Sequence, residues 1–321
     1  MALELVAGRA SLEVRALSRT VLGWRTKRNW TLVELGELVG FSPAKLSQLC
    51  RAGIRVSPVE VMAIGAACQA SDEEIELCVR VAQRAVDPVM WDRINGDAWT
   101  RLTWTPWDVM AEASELVIVA DEMLPELVRT EAYHAALVES GTVAHDLDLD
   151  LAAQRKVLER LSMSLKDAAR PGSPRRLSVR LIVPESQLEN PVGGAQVTVD
   201  QFERLAELNE LPGFEFRVVN GDVASYFGKG ASFTMMRFAE QRFDDVVLLR
   251  TLHGGDTWIE SEAEREPYER ALAVLDGVLR SEEVSACWLS QASLLYRDPL
   301  SDNGSGEQKW NLRLVTDRVG S

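Results

Sequence analysis

The chain has 321 residues, is 46% hydrophobic and 26% charged, and carries a net charge of −14. That balance excludes a largely disordered protein, and no apolar run reaches the roughly 18–20 residues that a membrane span needs. The length suits roughly two or three domains.

The charge is unevenly placed. Between Arg9 and Val56 there are nine Lys/Arg and three Asp/Glu, giving +6, while the remainder has 26 basic and 46 acidic residues, or −20. A basic module on an acidic body can bind phosphates while the body keeps the molecule soluble. The opening "MALELVAGRASLEVR" is a poor signal peptide. Cys50, Cys68, Cys78 and Cys287 form neither C-x-x-C pairs nor a disulfide framework, so reduced thiols in a cytoplasmic protein are expected.

In chain order, the first 88 residues read as five short helices. Val14, Leu17, Val21 and Trp24 keep helical spacing in "LEVRALSRTVLGWRTKR". Thr31 with Glu34 makes a capping box for "LVELGELV", and Gly40 supplies a left-handed stop. Ser42 caps the next helix, with Pro43 in its first turn. Ser57-Pro58 repeats that start before "VEVMAIGAAC", and Ser71 opens "DEEIELCVRVAQRA", whose Ile75, Cys78, Val79 and Ala82 are expected inside. Two short helices joined at a glycine turn in such a bundle make a helix-turn-helix. Its second helix, in "FSPAKLSQLCRAG", puts Phe41, Leu46 and Leu49 on one face. Lys45, Ser47 and Gln48 are then candidates for base contacts in a DNA major groove. Arg25, Lys27, Arg28, Arg51 and Arg55 are candidates for phosphate contacts.

Residues 89–110 hold four tryptophans with 87–88 and little periodicity, and are read as a hinge packed by aromatic side chains. Residues 111–298 follow as an α+β domain. Strands are expected at 177–183, 214–220, 231–238 and 246–252, with helices in "TVDQFERLAELNEL" and "PYERALAVLDGVLRSE". Together they predict a small, mostly antiparallel sheet flanked by helices. His134, His145 and His253 accompany no H-E-x-x-H, G-x-S-x-G or Walker pattern, so no enzyme, cofactor or metal is expected. "VGG" (192–194) and "HGGD" (253–256) read as turns and "FGKG" (227–230) as a loop. Glu112, Glu115, Asp121 and Glu122 read as a solvated helix face. The tail 299–321 opens as a linker and closes on an alternating segment around Trp310 that could add a strand to a sheet.

"LGWRTKRNWTLVELGELVGFSPAKLSQLCRAGIRVSPVEVMAI" resembles the Xre (Cro-repressor-like) helix-turn-helix, in the version found in actinobacterial WhiJ-like, antitoxin-like regulators. "LPELVRTEAY" and "VPESQLENPVGG" resemble the large carboxy-terminal domain of those proteins. The chain departs from the wider pattern at Leu32, Pro43 and Cys50, where polar or acidic residues are usual. The resemblance implies a transcription regulator acting on double-stranded DNA as a homodimer, with a small protein or ligand at its second domain. The alternative is an interaction scaffold or antitoxin whose helix-turn-helix no longer binds DNA.

Overall fold

The computed structural model describes residues 10–86, 105–143, 149–163, 176–189, 191–221, 227–239, 243–250 and 256–297. Most of the tryptophan-rich segment, the tail, His145 and His253 with its glycine turn lie outside them. The chain divides into two compact units, one of residues 1–109 with 238–245 and the other of 110–237 with 246–321.

The first unit is built from α1 (Leu12–Lys27), α2 (Leu32–Val39), α3 (Pro43–Cys50), α4 (Pro58–Ala67) and α5 (Asp72–Val86). Local chemistry fixes their ends. Thr31 and Glu34 close a reciprocal capping box on α2, Ser57 and Glu60 another on α4, and Ser71 pairs the same way with Glu74. Ser42 accepts from the Lys45 amide at the start of α3. Leu17, Val21, Leu35, Leu46, Leu49, Ile54, Val61, Ile64, Cys78 and Val81 fill the core. Helices of eight residues are marginal alone, so this shared core holds α2 and α3 in shape.

Glycine is needed at the turn for two separate reasons. Gly40 ends α2 at φ 72°. Gly36 lets the chain double back: a Cβ there would lie 2.5 Å from the carbonyl oxygen of Phe41, whose amide donates to the Gly36 carbonyl at 3.0 Å. Gly36→Ala should therefore destabilise the unit by about 1–3 kcal/mol, more than the roughly 1 kcal/mol that alanine returns in a helix interior. A melting temperature that rises on this substitution would show that the turn can widen without cost.

Segment 238–245 completes the unit. The buried Arg15 guanidinium lies 4.0 Å from the Phe238 ring centroid and 4.1 Å from that of Phe243. Ala10 pairs with Phe243 in a β-bridge, and Val14 and Ala52 join that contact.

The second unit is an α+β domain on a six-stranded mixed sheet. Its strands are β1 (Glu115–Val119), β2 (Ser178–Pro184), β3 (Phe214–Val219), β4 (Phe233–Arg237), β5 (Val246–Arg250) and β6 (Asp256–Ile259), in the order β3-β2-β1-β4-β5-β6. The pairings β1–β2 and β2–β3 are parallel, and β1–β4, β4–β5 and β5–β6 are antiparallel. Four strands lie where the sequence placed them. The central strand β1 was not anticipated: "ELVIV" is buried on both faces and shows no alternation. Glu115 therefore sits in a strand, bonded to Arg237 at 3.1 Å, rather than on a helix face.

One sheet face, with Val117, Val119, Ile182, Phe233, Met235 and Val247, packs on Ala271, Leu272 and Leu275 of helix Glu262–Asp276. Helices Ala195–Asn209 and Glu282–Arg297 pack on each other and on β3. The outer edge of β3 is closed. The Arg280 amide donates to the Val218 carbonyl, the Asn220 amide to the Val278 carbonyl, and the Val218 amide to the Ser285 hydroxyl. Among the described residues no helix is long and apolar enough to cross a membrane.

Candidate nucleic-acid interface

The outer side of α3 starts from its caps and ends in a cluster. Leu46 and Leu49 are fully buried, which turns Ser47 and Gln48 outward, Ser47 half-buried and Gln48 exposed. Arg51, at the end of the helix, folds back so that its Nη2 donates to Ser47 Oγ at 2.6 Å. Ser47, Gln48 and Arg51 thus form one polar, cationic surface. Arg55 is exposed on the loop that follows. Burial pushes the Cys50 thiol up, with Arg25 acting in the opposite direction, so this thiol stays protonated at the helix end.

The other candidate cations have partners inside the unit. Lys45 is half-buried; its ammonium pairs with Glu60 of α4 and lies 4.2 Å from the Phe41 ring centroid. Glu60 in turn accepts from the Ser57 amide at 2.9 Å, and these bonds hold its carboxyl below the usual range although burial works against them. Arg25 donates to the Trp30 carbonyl at 2.7 Å. Arg28 donates to the Cys68 carbonyl at 2.8 Å and to Gln69 at 2.6 Å, beyond the end of α4. Lys27 is exposed, with Glu74 at 3.8 Å. The structure therefore gathers Ser47, Gln48 and Arg51, leaves Arg55 and Lys27 in solvent, and engages Lys45, Arg25 and Arg28 in bracing contacts. Glu60 was missed as the counterpart of Lys45. Its position three residues after Ser57 was the available signal.

In the second unit, a buried polar network surrounds "LPELVRT", which follows β1. Gln201, fully buried, accepts from the Thr130 amide at 2.8 Å and donates to the Val128 carbonyl at 2.9 Å. Gln154 donates to the carbonyls of Glu126 and Arg129. Arg129 donates to the Leu124 carbonyl at 2.7 Å and reaches His134 Nδ1 at 3.2 Å. A guanidinium can only donate, so His134 Nδ1 is the acceptor there. Burial holds the Arg129 pKa below its ordinary value.

Two short helices crossing at a glycine turn, the second with its polar side outward, make the first unit a helix-turn-helix domain. A family model described as a helix-turn-helix domain matches residues 13–77. A second model, described as a domain of unknown function (DUF5753), matches residues 107–291. That match spans more than half of the chain, which therefore belongs to the DUF5753 family. No curated protein and no solved structure matches it.

Proposed function

We propose that the chain is a DNA-binding transcription regulator of the Xre type, akin to the WhiJ-like regulators. Its DUF5753 domain would receive a small protein or ligand that alters promoter occupancy. The observation that carries this reading is the solvent-facing Ser47–Gln48–Arg51 surface on a helix whose opposite side is core. Such a helix presents hydrogen-bonding groups at the spacing a major groove accepts. Gln48 and Ser47 read base edges, while Arg55, Lys27 and, at the helix end, Arg51 meet phosphates. A single module of this size binds weakly at physiological salt, so two copies act together on two half-sites. The chain works in the cytoplasm, without a cofactor and without catalysis.

Quantitative gel-shifts with the DNA upstream of the protein's own coding region test this. Gln48→Ala should cost about 1–3 kcal/mol on the specific site and little on unrelated duplex. Arg55→Ala should weaken both and lower the salt slope by about one unit. If neither changes binding in folded protein, the scaffold or antitoxin reading takes its place. Leu32, Pro43 and Cys50 favour that second reading, because they remove hydrogen-bonding groups from the two helices.

A further inference from the structure

Helix α4 carries an apolar face without a cover among the described residues. Of its ten residues only Glu60 is charged, and that side chain is turned inward to Lys45 of α3. Val61, Ile64 and Gly65 face the core. On the other side Val59 is 74% exposed, Met62 53% exposed, and Ala66 is exposed too. Positions 59, 62 and 66 fall on one helical stripe. A helix that is apolar all round belongs in an interior, and exposed apolar surface of this kind marks a contact.

We infer that this stripe meets the same stripe of a second copy when two copies occupy neighbouring half-sites on DNA, an inference that rests on the DNA-binding reading above. The size of the stripe and its lack of charge select that occupant. Two large side chains and an alanine from each copy cover only a small part of the roughly 1,200–2,000 Å² that a stable interface buries. The stripe can act only where something else already holds two copies close, at high effective concentration. DNA does so, because the Lys45–Glu60 pair fastens α4 to the helix that would read it. The stripe also offers no charged side chain with which to select an unlike partner, whereas a two-fold contact between identical apolar patches needs none.

The test uses the full chain and the neutral double substitution Val59→Ser with Met62→Gln, which leaves the charge toward DNA unchanged. Wild-type protein first selects sites from random duplex DNA. The selected sequence should be a pair of inverted half-sites, and binding to the pair should be cooperative. On the paired site the variant should bind at least about tenfold more weakly, with single half-site affinity unchanged, because the gain from linked binding is lost. Its melting temperature without DNA should equal that of wild type. Selection that enriches no sequence removes the DNA-binding reading and this inference with it. Enrichment of a lone half-site, or equal affinity of variant and wild type for the paired site, overturns the inference alone. So does a lower melting temperature of the free variant, which would show the stripe covered by the chain's own residues.

Discussion

Leu46→Ala should destabilise the helix-turn-helix unit by about 2–5 kcal/mol, through lost transfer energy and the cavity left behind. Leu46 is fully buried, and α3 has only Leu49 as a second fully buried anchor. An eight-residue helix does not persist on its own, so weakening one of its two anchors weakens the whole element. A cost of that size is a large fraction of the roughly 5–15 kcal/mol that a domain possesses. Urea unfolding followed by far-ultraviolet circular dichroism measures it as a fall in the first-unit midpoint. A shift under about 1 kcal/mol would mean that the site collapses to fill the void. DNA binding should fall in parallel at temperatures where the wild-type unit is still folded.

Gln201→Leu should cost the second unit about 2–5 kcal/mol, for a different reason. Leucine fills similar space but strands the Val128 carbonyl and the Thr130 amide, each now paired with Gln201. A buried polar group left without a partner costs about 1–3 kcal/mol, and there are two. Amide exchange of Thr130 should accelerate by orders of magnitude, because its N–H donates to the buried Gln201 side chain. If Thr130 exchange and the unfolding midpoint both stay at wild-type values, water has replaced the glutamine and this network is not holding "LPELVRT".

The helical unit was legible because its determinants are local. Thr31 and Glu34, Ser42 and Pro43, and Gly40 lie next to the elements they start and stop, and α2 spans the eight residues expected. The sheet was legible in part. Four strands alternate or cluster β-formers, whereas β1 reads as one apolar run whose pairing with β2 is decided 63 residues away, Glu115 opposite Ser178. The four-residue β6 is too short to carry a pattern. For the candidate interface, sequence supplied residue types and the outward face of α3, but not which cations already have partners. Lys45 meets Glu60 fifteen residues on, and Arg28 meets Gln69 forty-one residues on. Such pairs belong to the packing of helices, which no local spacing encodes.

The composition of the first unit has a consequence for its birth on the ribosome. Ala10, Val14 and Arg15 find their cover in Phe238 and Phe243. During synthesis the five helices emerge roughly 150 residues before that cover, which at about 5–20 residues per second is a wait of about 10–30 s. Throughout that interval the nascent helix-turn-helix would present a naked flank to chaperones and to neighbouring chains. Any messenger truncated before the codon for Phe243 would release it permanently in that state.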